Sequence, residues 1–197
     1  APHLLHGGIM TGWIVLVLTQ ALLIRSRRFK WHRILGWSSL ALFVAMVVTS
    51  CQMVALMLSG KTQLPFEAAK FFGYSDILDM PLLIFFFCGA IYWRKDRHLH
   101  SRLMITTVLT SIVPALARMF NILVWRSFEG LYHAMHPTYI LILASLALIA
   151  YHDWNQKRLR WPLPLAFVWF SFVYATNWWM IDAEWYDSLA RSIGALA

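Results

Sequence analysis

Residues 25–59 read RSRRFKWHRILGWSSLALFVAMVVTSCQMVALMLS, a short segment rich in arginine and lysine followed by a long apolar run. A membrane-spanning helix needs about 20 predominantly apolar residues. The run from 34 to 59 is therefore long enough to cross a bilayer with some tilt. The same pattern, in which a basic segment adjoins an apolar run, recurs along the chain. It predicts an α-helical protein embedded in a membrane.

The composition agrees with this interpretation. Of the 197 residues, 60% are hydrophobic and 13% are charged, whereas soluble domains carry about 25% charged residues. The formal net charge of +8 does not indicate a nucleic-acid partner, because the basic residues are concentrated in short segments between apolar runs. We expect a single transmembrane domain over residues 1–197, with the lipid bilayer as its principal partner.

The apolar runs predict an all-α bundle of about six transmembrane helices. They cover residues 7–24, 34–59, 77–93, 103–125, 135–151 and 162–181. Residues 60–76 are expected to form a long outer loop with a short surface helix at 65–72, and Pro81 to lie in the first turn of the third helix. The tail at 182–197 is expected to lie in the membrane interface, because one helical face is apolar. That face comprises Trp185, Tyr186, Leu189, Ile193 and Leu196.

Three basic segments set the predicted orientation. They lie at 25–33, 94–102 and 156–160, and all three fall on one side if every run spans the membrane. By the positive-inside rule this side is the cytoplasm. Both termini would then face outward, as expected for a multi-pass protein of the bacterial inner membrane.

Two histidines on the predicted inner side could bind a cofactor. His32 precedes the second run and His100 precedes the fourth. A b-type haem needs imidazoles from different helices that face each other. Basic side chains nearby could bind its propionates, namely Arg28, Arg33, Arg97 and Arg102. The alternative is that these histidines are only solvated at the interface.

A second set of histidines lies on the predicted outer side. His133 and His136 are three residues apart and share a helical face, and Pro137 is expected to mark the helix start. His6 lies at the outer end of the first run. These residues could bind haem iron, or another metal such as copper, together with methionines that are otherwise ordinary core filler.

Arg118 lies inside the fourth run, one turn after Pro114. An arginine within a membrane span is costly and usually faces a partner or a cavity. One interpretation is a structural ion pair with Asp76 or Asp79. The other is a binding role toward a haem propionate or an anionic substrate.

Four segments carry a resemblance to known proteins: His6-Gly-Gly-Ile-Met-Thr-Gly-Trp13, His32-Arg-Ile-Leu-Gly36, His100-Ser-Arg-Leu-Met104 and Pro114-Ala-Leu-Ala-Arg118. Over residues 6–120 the chain resembles a family of uncharacterised bacterial multi-pass membrane proteins. In that family an HR-x-LG element opens one helix and an H-x-R-x-M element opens a later one. The resemblance implies a fold and no activity.

A looser likeness is to the transmembrane b-type cytochromes that oxidise ascorbate. It implies an inner haem pair of His32 and His100, and an outer pair of His6 with His133 or His136. The chain departs from these cytochromes in helix order and spacing, and it has no clear ascorbate-binding motif.

The leading functional hypothesis is a membrane redox protein that binds haem b and passes electrons within or across the bilayer, with quinone as a candidate partner. One alternative is a non-catalytic accessory subunit of a larger respiratory or photosynthetic complex. Another is a metal-handling or small transport protein. The sequence has no nucleotide-binding loop, metalloprotease motif or serine nucleophile motif, so hydrolytic or ATP-driven activity is not expected, and no catalytic residue is indicated.

Overall fold

The computed structural model describes residues 2–197, except for the side chain of Phe128, as seven α-helices joined by short turns. The helices are α1 (Pro2–Arg25), α2 (Phe29–Leu58), α3 (Phe66–Tyr92), α4 (Arg97–Phe120), α5 (Phe128–Asn155), α6 (Pro162–Met180) and α7 (Glu184–Gly194). A π-helical turn, Asn121–Trp125, continues α4. The predicted all-α class is confirmed.

Helices α1 to α5 are long and apolar enough to cross a membrane, the fourth of these spans including the π-helical turn. By length and composition they indicate a membrane protein. Helix α6 has 19 residues and no charged side chain, but it is not among these five candidate spans. A sixth span and outward-facing termini stay predictions.

The prediction for residues 60–76 was wrong. Helix α3 begins at Phe66 and continues through Pro81 to Tyr92, so there is no separate surface helix at 65–72. Pro81 lies in the middle of α3, and Pro137 likewise lies inside α5 rather than at its start. Proline is tolerated inside membrane helices where neighbouring groups satisfy the freed carbonyl. The charged residues in the first turns of α3 interrupt the apolar run, so the sequence pattern predicted a loop there.

The chain divides into two compact units, of which the first comprises residues up to Ile77 together with Met180–Ala197. In this unit α1 and α2 pack side by side, antiparallel because only a short turn joins them. Trp13 is fully buried against Phe43, with 5.5 Å between ring centroids. Gly194 of α7 lies directly on the backbone of Leu58, where a Cβ atom would overlap it.

Helix α7 is held on α3 by a group of residues that we call the Lys70 clasp. Lys70 is 5% exposed, and its Nζ donates to Asp187 at 3.1 Å and to the carbonyl of Ile181 at 3.0 Å. Nζ also lies 2.9 Å from the carboxylate of Glu67. The buried Tyr186 hydroxyl donates to the carbonyl of Lys70 at 2.6 Å. One face of α7 therefore packs on protein, while Trp185 and Leu189 remain exposed.

The second unit, Leu78–Trp179, contains the rest of α3 with α4, α5 and α6. Its core includes the fully buried side chains of Phe86, Leu103, Tyr139, Leu146 and Phe170. The π-helical turn is closed by the amide of Arg126, which donates to the carbonyl of Asn121 at 2.7 Å.

Helices α1 and α5, like the π-helical turn after α4, end with a basic residue in the left-handed region. Arg27 after α1 has φ 58° and Lys157 after α5 has φ 54°, a conformation that favours glycine. After α1, the amides of Arg27 and Arg28 donate to the carbonyls of Ile24 and Leu23, at 3.0 and 2.8 Å. Lys157 and Arg158 repeat this pattern after α5. Both ends are thus Schellman motifs that use a cation where glycine is usual.

Candidate functional site

The predicted ligand histidines lie in the early turns of four helices. His6 in α1 and His32 in α2 belong to the first unit, at opposite ends of an antiparallel helix pair. His100 in α4, and His133 and His136 in α5, belong to the second unit. The predicted pairings of His32 with His100, and of His6 with His133 or His136, each combine residues of both units and stay predictions.

The imidazole of His6 has a defined tautomer. Its Nδ1 lies 3.2 Å from the Thr49 hydroxyl oxygen. The single hydroxyl proton of Thr49 is directed at the carbonyl of Ala45, 2.8 Å away, or of Met46, 3.1 Å away. With its proton on either carbonyl, Thr49 accepts from His6, and in that arrangement Nδ1 carries the proton and Nε2 carries the lone pair that could bind a metal.

His100 is fixed in the same tautomer by a different group. Its Nδ1 lies 2.8 Å from the carbonyl oxygen of Ala90 in α3, and a carbonyl can only accept. Nδ1 must therefore donate, and the lone pair again lies on Nε2. Metal-ligating histidines usually donate their other ring nitrogen to a carbonyl or carboxylate in this way.

His133 and His136 contact different aromatic residues. His136 stacks on Trp178, with 5.0 Å between centroids and 7° between planes, and its Nδ1 is 2.5 Å from the Tyr174 hydroxyl. His133 stacks on Trp125 at 6.0 Å. Because a tyrosine hydroxyl can donate or accept, the tautomer of His136 is not fixed. Within residues 2–197, apart from the side chain of Phe128, no group of three or more His, Cys, Asp or Glu residues is arranged to hold a metal ion.

Gln20 is a polar residue of α1 that the sequence analysis did not identify as a candidate for binding. Its amide oxygen and nitrogen are buried and have no hydrogen-bond partner among the described residues. A Cβ atom on Gly36, in the HR-x-LG element, would lie 3.9 Å from that nitrogen. His32 is four residues before Gly36 and shares its helical face, and its Nδ1 is also buried. Buried amide groups are normally satisfied, so this part of the α1–α2 interface has hydrogen-bonding capacity for a ligand or water.

Arg102, expected to bind haem propionates, is engaged by protein instead. Its Nε and Nη2 donate to the two carboxylate oxygens of Asp153 at 2.6 and 2.5 Å, and Asp153 is 1% exposed. His98 Nε2 lies 3.3 Å from the same carboxylate and 2.9 Å from the carbonyl of Arg158. This arrangement joins α4 to the end of α5 and leaves Arg102 unavailable for a cofactor. The sequence could not pair two residues that are 51 positions apart.

Arg118 is exposed on α4. It makes no ion pair with any of the described residues, so the expected pair with Asp79 is not formed. Asp79 is buried and accepts a hydrogen bond from the indole of Trp169 at 3.2 Å. The binding interpretation of Arg118 stays a prediction.

Two carboxyls outside the candidate spans are stabilised in their charged form. Hydrogen bonds from Arg191 and Lys70 hold the pKa of Asp187 below its usual value. The backbone amide of Leu99 does the same for the pKa of Asp96, which caps α4. Burial raises the pKa of Tyr186, so its hydroxyl remains a donor. The Lys70 clasp is thus fully formed near neutral pH.

Comparison with protein families, curated proteins and solved structures gives no match.

Proposed function

We propose that this protein is a membrane redox protein that holds b-type haem through imidazole ligands. The observation that carries the proposal is the shared tautomer of His6 and His100, each with Nδ1 donating to an oxygen of a neighbouring helix. Both imidazoles are oriented by the fold and keep the lone pair on Nε2, as an axial ligand requires.

The donor set fits haem better than a bare metal ion. A structural metal site draws about four protein ligands together, whereas haem iron takes only one or two from the protein because the porphyrin supplies the rest. The candidate histidines are spread over four helices, singly in α1, α2 and α4 and as the pair His133 and His136 in α5. Exposed arginines beside His32, namely Arg28 and Arg33, can bind propionates in place of Arg102.

A second part of the proposed binding site lies at the predicted inner end of the α1–α2 pair, beside Gln20 and His32. A ligand bound there would satisfy the amide of Gln20, which lies close to Gly36. Bound haem would supply one-electron transfer. The chain's own residues would ligate the iron, fix the ring orientation and exclude water, and a lipid-soluble quinol fits as the electron donor.

The proposal is tested by a dithionite-reduced minus oxidised absorbance spectrum of protein purified after expression with added haem precursor. We expect a b-type α band that is lost or shifted in His6→Ala and in His100→Ala. The matched control is His152→Ala, because His152 is exposed and its imidazole forms a hydrogen bond with the side chain of Gln156 in its own helix. That variant should keep the wild-type spectrum.

A featureless spectrum from folded, haem-supplied protein would overturn the proposal. The remaining interpretation would then be an accessory subunit, and co-purification from native membranes in mild detergent would be the next measurement. A spectrum that is equally altered in all three variants would also count against specific ligation by His6 and His100.

A further inference from the structure

After its first residue, Arg97, helix α4 becomes exposed only toward its C-terminal end, the predicted outer end. In the described stretch from His98 to Pro114 every residue is buried or half-buried, but Ala115, Arg118 and Met119 are exposed. Met119 is 44% exposed and Ile122, in the π-helical turn, is 64% exposed. Among these exposed residues Arg118 is the one cation, and the side chains of the others are apolar.

The charge of Arg118 is not neutralised by the described protein groups. The ion pairs that the structure shows use Lys70, Arg102, Arg160, Arg191 and His98. A guanidinium within a candidate span costs several kcal/mol unless an anion or water reaches it. Because the surrounding surface is apolar and exposed, the compensating anion must come from the bilayer side.

The depth of Arg118 limits the identity of this anion. Trp125 lies seven residues further along, which corresponds to a rise of about 10 Å, and tryptophans concentrate at the membrane interface. A long arginine side chain can extend its charged head toward that interface while its methylenes lie against apolar surface. The guanidinium is then placed where phospholipid headgroups meet acyl chains.

We propose that Arg118 binds the phosphate group of a phospholipid, whose acyl chains cover Met119 and Ile122. Guanidinium binds phosphate bidentately through two charge-assisted hydrogen bonds. The apolar residues beside it favour a lipid over a soluble anion, because a free phosphate would gain nothing from them. This site is independent of the proposed haem ligands.

The test is a titration of delipidated, detergent-solubilised protein with phosphatidylglycerol, in which native mass spectrometry counts the retained lipid. Diacylglycerol serves as the matched ligand, since it has the same chains and no phosphate. Wild-type protein should bind phosphatidylglycerol about tenfold more tightly than diacylglycerol. Arg118→Leu should remove this preference, and its apolar side chain suits the exposed surface. Arg118→Lys should retain part of it.

Arg126→Asn is the matched protein control. Arg126 is also an exposed outer arginine, but its Nε already donates to the carbonyl of Ile122 at 3.1 Å, and asparagine tolerates its φ of 55°. An unchanged lipid preference in Arg118→Leu would overturn the proposal. So would competition by millimolar inorganic phosphate, which would indicate a soluble anion. A photo-crosslinker at position 118 that captures a protein in native membranes would instead identify a subunit interface.

Discussion

At the scale of single residues, Thr49 and the carbonyl of Ala90 have the same effect on two different histidines. Each accepts from Nδ1 and thereby leaves the lone pair on Nε2. The histidines could be found from the sequence as candidate ligands. Their hydrogen-bond partners could not, because Thr49 is 43 residues from His6 and periodicity does not reveal which helices are neighbours.

Thr49→Val should weaken haem retention without removing the ligand, because the imidazole of His6 loses the acceptor that orients it. Loss of such a partner typically lowers metal affinity about 10–100-fold. The measurement is the haem transfer rate to apomyoglobin. Thr19→Val is the control, since Thr19 makes the same bond to its own helix but contacts no histidine among described residues. Equal transfer rates in both variants would show that Thr49 does not act through His6.

Arg102→Gln should strongly destabilise the fold, because it leaves the buried carboxylate of Asp153 without its cation. Breaking a buried ion pair costs about 3–5 kcal/mol, to be measured as the free energy of unfolding in mixed micelles. Arg160→Gln is the control, as Arg160 and Asp96 are 3.9 Å apart and substantially exposed, so the loss should stay below about 1 kcal/mol. The double variant Arg102→Met/Asp153→Leu should recover most of the stability. A small effect of Arg102→Gln alone would show that water reaches Asp153.

At the scale of helices, the sequence located every apolar run but misplaced two helix starts. Helix α3 begins before Pro81 and α5 begins before Pro137. In α3 the misleading residues were Lys70 and Asp76, which are charged although Lys70 is buried. Lys70 is satisfied by Asp187, 117 positions later, and no local pattern could reveal that partner.

Asp187→Asn should loosen α7. Because the pKa of Asp187 is lowered in the folded protein from 3.8, its contribution is fully present above that value and is lost as pH falls through the lowered pKa. The wild-type clasp should therefore hold at neutral pH and weaken only in strong acid. We expect amide protection factors over residues 184–194 to fall several-fold at pH 7 in the variant, as measured by hydrogen exchange. Asp182→Asn, at an exposed residue with no ion pair among the described residues, should leave them unchanged. Equal protection in both variants would refute the role of the clasp.

At the scale of the whole molecule, helical class and membrane character followed directly from composition and run length. Both depend on averages over many residues, so small errors at helix ends do not matter. The number of spans depends on α6, which has no charged side chain but is not among the five candidate spans. The histidine pairings depend on tertiary arrangement and could not be derived from periodicity.

If α6 spans the membrane, the positions before and after it lie on opposite sides. In a background with Cys51 and Cys88 replaced by alanine, Ala197→Cys should react with an impermeant maleimide in intact spheroplasts. Lys157→Cys should react only after permeabilisation. Labelling of both positions on the same side would show that α6 does not cross.

The left-handed residues at the ends of α1 and α5 have a consequence for biogenesis. For local stability, glycine would be better at both positions, by about 1 kcal/mol each. Yet Arg27 and Lys157 lie in the basic segments that are predicted to keep their loops in the cytoplasm. The nascent chain adopts its topology before its helices pack. Cations at these two positions therefore favour the correct orientation during insertion, and they lower the stability of the folded protein afterwards. Variants selected for thermal stability alone would be expected to acquire glycine there and to insert with mixed orientation.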